Sequence, residues 1–180
     1  RIILSVCERL EQQGHTCRIA YGRQAVDCDI PTMTIGNAWD YRLHALTHRI
    51  FGTGGFGSRA ATARFLRQVR EYDPDVIWLH NLHGYYIHIG LLFDYLRGSG
   101  KKIIWTLHDC WAFTGNCPYF SAVGCEKWKT CCGSCPQKNV YPKAFLDASR
   151  KNYLHKKSLF TGIADLSLEV PSQWLAGLVR

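Results

Sequence analysis

Two short, unbroken apolar runs constrain this chain more than anything else in it: Val76-Ile77-Trp78-Leu79, and Ile103-Ile104-Trp105 some two dozen residues later. Each is too short for a buried helix and lacks the polar alternation of a half-exposed strand, so each reads as a strand covered on both faces. The Asp-Pro-Asp before the first breaks any preceding helix, and the stretch between them, "YYIHIGLLFDYLRGSG", reads as a helix ended by its glycines. Strand, helix and strand of these lengths close right-handed with the strands parallel. The fold class is therefore α/β, a doubly wound parallel sheet with helices on its faces.

The rest of the chain continues the alternation. "RIILSVCERLEQQGH" carries a helical apolar stripe, "TCRIAYG" and "TMTIG" read as short strands, and residues 39–50 and 58–72 as helices. "FGTGGFGS" between those helices reads as a flexible connection; it is no phosphate loop, because no strand precedes it and no Gly-Lys-Ser/Thr follows. "YPKAFLDASRKNYLHKKSLF" reads as one long basic helix, "LSLEVPS" as a strand, and "SQWLAGLVR" as a helix capped by Ser172. A doubly wound domain normally opens on a strand, whereas this chain opens on a helix and stops inside one. The expectation is a fragment of a longer protein that lacks its first strand and turn.

At 180 residues, 47% apolar and 20% charged, the chain can bury one ordinary core. No stretch reaches the roughly 20 consecutive apolar residues that cross a bilayer, and the start is no secretory signal, so a cytoplasmic location is expected. The formal charge of +8 favours anionic partners: lipid headgroups, phosphorylated substrates or nucleic acid. Nine cysteines without a secretory signal point to metal ligands, reactive thiols or small buried apolar groups rather than a disulfide framework. Cys7, Cys17 and Cys28 are read as packing residues.

Chemistry-bearing residues gather where the two strands end. His80, Asn81 and His83 follow the first, and His108 and Asp109 the second; in a parallel sheet both sets leave from the same carboxyl edge, where a cleft forms. Each histidine could instead be a hydrogen-bonded structural residue, and the set could bind a catalytic metal, as in a metallohydrolase. His44, His48, His88 and His155 fall on helices and are assigned no role. After Asp109 the chain enters a cysteine-rich loop, residues 110–136, with Cys117, Cys125, Cys131, Cys132 and Cys135. Structural zinc, a redox or disulfide pairing, and reduced thiols all remain open for it. Cys110 reads as a packing residue. The positive charge and cysteine cluster together also allow a zinc-dependent nucleic-acid-binding module.

"LHNLHGYYIHIGLLFDYL", "TLHDCWAFTGNCPYF", "CEKWKTCCGSCPQK" and "PSQWLAGL" together resemble the N-terminal domain of retaining glycosyltransferases of family 4, the GT-B group, in particular bacterial enzymes of colanic acid and exopolysaccharide assembly. The resemblance covers nearly the whole chain. It implies the Rossmann-like, acceptor-side half of a GT-B fold over residues 1–180, with the cysteine-rich loop inserted and the C-terminal donor domain absent. It further implies transfer of a hexose from a UDP- or GDP-sugar to a glycan or lipid-linked acceptor, with no nucleic-acid partner and an isolated fragment that is inactive. His108 would orient the donor sugar and stabilise charge on the leaving nucleotide, and Asp109 would fix that imidazole or the loop. His80, Asn81 and His83 would line the acceptor side, with Trp111 and Thr114 shaping the pocket. Catalysis would need no cofactor, so any zinc would be structural, with Cys117, Cys125, Cys132 and Cys135 as first-choice ligands. Lys151, Lys156 and Lys157 would meet anionic lipid at the inner face of the membrane. The sequence departs from the family pattern at Cys131, where a glycine is usual, and at "EVPS", which puts a role for Glu169 in doubt.

Overall fold

The computed structural model describes residues 2–23 and 27–179. In chain order the elements are α1 (Ile2–Gln12), β1 (Ile19–Tyr21), β2 (Thr32–Thr34), α2 (Ala38–Phe51), α3 (Arg59–Tyr72), β3 (Val76–Leu79), α4 (Ile89–Ser99), β4 (Lys102–Thr106), α5 (Ser149–Phe160), β5 (Leu166–Glu169) and α6 (Gln173–Val179). Between β4 and α5 the only helical structure is three 3-10 turns, at Trp111–Phe113, Phe120–Val123 and Lys127–Lys129.

The two apolar runs pair in parallel, Val76 opposite Lys102 and Leu79 opposite Trp105, and β5 adds in parallel to the other side of β4. Helix α4 crosses between β3 and β4 and buries Ile89, Leu92, Phe93 and Leu96. Phe93 is the pivot of this core: its ring lies 5.2 Å from Trp105 and 4.4 Å from Phe160 of α5. Strands β1 and β2 form a separate parallel pair rather than part of one continuous sheet. An apolar slot of about 210 Å³ separates them from β3, walled by Ile19 and Ala20 on one side and Ile77 and Leu79 on the other, with Leu66 and Leu92 among the helix residues that line it.

Three expectations are corrected. The helix expected from residue 85 begins at Ile89, because Tyr85 adopts a left-handed φ of 62° and His88 caps the helix by accepting from the Leu91 N–H at 3.1 Å. The helix expected from residue 141 begins at Ser149; the Asp147 carboxylate accepts from the Ser149 N–H at 2.9 Å and the Cys135 N–H at 2.7 Å, tying the preceding segment to the cysteine loop. The glycine-rich stretch is packed rather than flexible. Gly52, Gly54 and Gly55 are buried, and Gly55, at φ +85°, lies so close to Trp111 that a Cβ would stand 3.1 Å from its ring.

Helix α2 is well capped: the Asn37 side chain accepts from the N–H groups of Trp39 and Asp40, and the Asp40 carboxylate accepts from the Asn37 N–H. It turns His44 and His48 inward, where both are buried structural groups. Its outer face, in contrast, holds Trp39, Leu43, Leu46 and Ile50, all exposed. On α5, Lys151 and Lys157 are exposed as expected, but Lys156 is only 1% exposed, so it cannot form part of a lipid-facing stripe.

Candidate functional site

Because β3 and β4 run parallel, with Leu79 opposite Trp105, the residues after them emerge side by side. His80 Nδ1 lies 3.1 Å from His108 Nε2, with the two rings stacked at 24° and 5.4 Å between centres, so one ring donates to the other. Burial, with the neighbouring His108 ring second, holds the His80 pKa below its ordinary value, with Glu169 opposing. His108 is the exposed partner, and so is placed to meet a ligand.

A second pair lies beside the first. His83 Nε2 is 2.6 Å from Asp109 Oδ2, while Asp109 Oδ1 accepts from the Trp111 N–H at 2.8 Å. The aspartate therefore orients His83 and the start of the loop; the imidazole it holds is not His108. His83 Nδ1 is buried without a partner, as is His80 Nε2. The pairing also bears on the metallohydrolase reading. The paired nitrogens, His80 Nδ1, His108 Nε2 and His83 Nε2, face one another or Asp109, and among the described residues no three metal-ligating side chains converge on one point.

Asn81 is exposed at the same edge. Trp111 is 3% exposed, with its ring 5.5 Å from the His83 ring and 3.9 Å from the Lys156 ammonium, so it supports His83 rather than offering an open platform. Thr114 is buried and its hydroxyl donates to the Cys117 carbonyl, which places it inside the loop and not on the cleft. Sequence reasoning missed one neighbour and doubted another. Tyr141 lies 6.5 Å from His83 across a long sequence gap and carries no local signal. Glu169, at the end of β5, accepts from the Thr106 hydroxyl at 3.1 Å, and its position at a parallel strand terminus could have revealed it.

In the loop, Cys117, Cys125, Cys132 and Cys135 all line one small cavity of about 20 Å³, whereas Cys131 does not and turns its thiol to the Cys132 carbonyl. No disulfide joins any two of the nine cysteines in this structure. Burial pushes Cys110 up to about 11, with Asp109 adding to the effect, so it stays protonated at neutral pH and is a packing residue. Cys7, Cys17 and Cys28 are half-buried rather than core residues. Among the described residues no helix is long and apolar enough to cross a membrane.

The sequence model of Glycosyltransferase Family 4 matches residues 1–131. A protein of Escherichia coli (strain K12) named as a colanic acid biosynthesis glycosyl transferase, WcaC, is 31% identical over 135 residues, covering 71% of this chain. The chain spans about a third of that relative's length, 32%. No solved structure shows a significant match. With well over half of its residues matched, the chain belongs to glycosyltransferase family 4.

Proposed function

We propose that these residues form the acceptor-side part of a retaining glycosyltransferase that moves a hexose from a UDP- or GDP-sugar to a growing, lipid-linked glycan of a cell-surface polysaccharide. The observation that carries this reading is the pairing at one strand edge: His80 with His108, and His83 with Asp109. Two oriented imidazoles and a carboxylate can hold sugar hydroxyls and exchange protons with them, which a purely structural edge would not need.

In this reading His108 contacts the donor sugar and stabilises charge as the nucleotide leaves, with His80 setting its ring orientation. His83, fixed by Asp109, and Asn81 receive the acceptor. Catalysis runs without a metal or organic cofactor, nucleic acid plays no part, and the nucleotide is held by chain outside these 180 residues, so the isolated piece is inactive. The relative's name, which places it in colanic acid biosynthesis, supports a polysaccharide product.

The test is nucleotide release by the complete protein, given a panel of UDP- and GDP-sugars with lipid-linked acceptors. Removing a group that stabilises developing charge costs about 10²–10³ in turnover, and His108→Ala is expected to lose that much. Near-normal turnover in that variant would remove His108 from the mechanism. Turnover that needs no acceptor would replace transfer with hydrolysis.

A further inference from the structure

Lys156 is 1% exposed and makes no ion pair with a carboxylate among the described residues. Its ammonium donates to the Trp111 carbonyl and sits over the Trp111 ring, but neither contact cancels a full charge. Burial lowers its pKa from 10.5 to about 7 and so favours the neutral amine; the ammonium form is held only as far as negative charge stands nearby. The groups of opposite potential charge around it are Cys132 and Cys117, with Asp109, itself bound to His83, contributing less.

Those two thiols belong to the quartet around the small cavity. Cys117, Cys125, Cys132 and Cys135 come from separate parts of a loop that has only single 3-10 turns, and they surround the cavity beside the packed rings of Phe120 and Trp128. A backbone amide already points at one of its sulfurs. The Gly115 N–H donates to Cys132 Sγ at 3.2 Å. Such a bond favours the thiolate and recurs around metal-bound cysteines. Gly115 has to be glycine for this approach, since a Cβ would lie 2.3 Å from the Ser149 carbonyl oxygen and 2.9 Å from Cys132 Cβ. The Cys132-Gly133-Ser134-Cys135 turn is closed by Ser134 at φ 45° and by Lys127, whose ammonium donates to the Gly133 and Ser134 carbonyls at 3.0 and 2.9 Å.

We propose that Cys117, Cys125, Cys132 and Cys135 bind one zinc ion, with buried Lys156 and turn-bound Lys127 as its counter-cations. Four thiolates around a divalent ion carry a net charge of −2, and the two ammonium groups cancel it. Each thiol gives up its proton to solvent as it ligates. The sulfurs now stand around the cavity walls, and no three meet at ligand spacing among the described residues, so binding draws them inward into a space the size of a single atom. Thiolate ligands in a four-coordinate set select zinc over harder divalent ions. The centre also reaches the cleft: Lys156 holds the Trp111 carbonyl, the Trp111 N–H binds Asp109, and Asp109 holds His83.

The experiment counts metal in the complete protein, purified without chelator, by elemental mass spectrometry, then exchanges it for cobalt. One equivalent of zinc, and cobalt absorption with the intense visible bands of a tetrahedral tetrathiolate, are expected. Cys132→Ser and Cys135→Ser should lose the metal, whereas Cys131→Ser should keep it. Lys156→Met should weaken zinc binding by about tenfold or more, as loss of a supporting group around a metal site does. Less than a tenth of an equivalent, with no cobalt spectrum from the wild-type protein, would overturn the proposal, as would loss of four mass units from two disulfides. The wild-type cobalt spectrum keeps the test decisive even where a serine variant fails to fold.

Discussion

The apolar core is continuous, reaching from Phe93 and Trp105 to Trp111 and Phe120 of the loop, yet its two sides differ in what else they bury. From β3 through α4 and β4 to β5 every buried side chain is apolar: Leu79, Ile89, Phe93, Leu96, Ile103 and Trp105 among them. Every buried polar or charged side chain among the described residues lies elsewhere, on α2, α3, α5 or the loop: His44, His48, Thr62, Thr114, Asn116, Gln137, Ser149, Asn152 and Lys156. The first side is held by area removed from water, which is non-directional and tolerant. The second adds to that area particular hydrogen bonds, such as Asn116 to the Pro142 carbonyl at 2.9 Å and Asn152 to the Gly52 carbonyl at 2.6 Å, each of which ties together segments distant in sequence. The site straddles the boundary. Its His80 and His108 ride on the apolar sheet, while His83 and Asp109 are braced by Trp111 at the entry to the polar loop.

The largest stability effect should come from the apolar half. Phe93 is fully buried between Trp105 and Phe160, and removing a buried aromatic side chain costs about 3–5 kcal/mol. Urea unfolding of Phe93→Ala in the complete protein, followed by tryptophan fluorescence, should show that loss. A change below 1 kcal/mol would mean that the three-stranded unit is not the main source of stability.

This contrast also explains what was legible in the sequence. The strands at 76 and 103, the helix between them and their shared carboxyl edge were readable because unbroken apolar runs between helix breakers announce them, although β3 is less covered than expected, with Val76 exposed and Ile77 and Trp78 half-buried. The grouping of His80, Asn81, His83, His108 and Asp109 followed from that edge alone. The partners within the group did not, because which imidazole Asp109 reaches depends on where Trp111 fixes the loop. The polar interior was misread residue by residue. Lys156 has the composition of a solvated face, the glycine-rich stretch that of a flexible linker, and His44 and His48 that of ordinary helix residues. In each case a long-range contact overrides the local signal.

The polar half should fail next, and in acid. His44 Nε2 accepts from the Gly57 N–H at 3.1 Å, so the proton of the neutral ring is on Nδ1, facing Ser58 Oγ at 2.9 Å. Protonating Nε2 would set one donor against another, and burial, with His48 and His88 adding to it, lowers the pKa from 6.5 to about 4. The unfolded chain binds this proton from about pH 6.5 downward while the native state resists it, so stability is full above 6.5 and falls towards pH 4. Integrated over that window the loss is about 3 kcal/mol, an order-of-magnitude figure. Urea midpoints should fall from pH 7 to pH 4.5, and His44→Gln should flatten the profile. An unchanged slope in that variant would transfer the acid sensitivity to other groups.

The smallest stability effect should come from residues that look like core and are not. All exposed positions of α2, namely Ala38, Trp39, Arg42, Leu43, Leu46, Arg49, Ile50 and Phe51, are apolar or cationic, without one acid. Phe145 and Leu146 extend this face, joined to the helix end by bonds from their N–H groups to the Arg49 and Ile50 carbonyls. A helix that turns leucines outward and histidines inward gains nothing from the leucines in folding, so Leu43→Ser with Leu46→Ser should shift stability by less than about 0.5 kcal/mol. The same pattern of large apolar side chains, a tryptophan and arginines suits the headgroup boundary of an anionic bilayer, and Tyr141 on its margin has its ring 6.5 Å from that of His83, to which the proposed function assigns the acceptor. Co-sedimentation of the complete protein with phosphatidylglycerol-containing vesicles should therefore fall several-fold in the double variant and weaken with salt in the wild type. Equal binding by both proteins would leave the exposed lysines of α5 as the better candidate for membrane contact. A loss of several kcal/mol in stability would show that the outer face of α2 is covered by protein and belongs with the apolar interior after all.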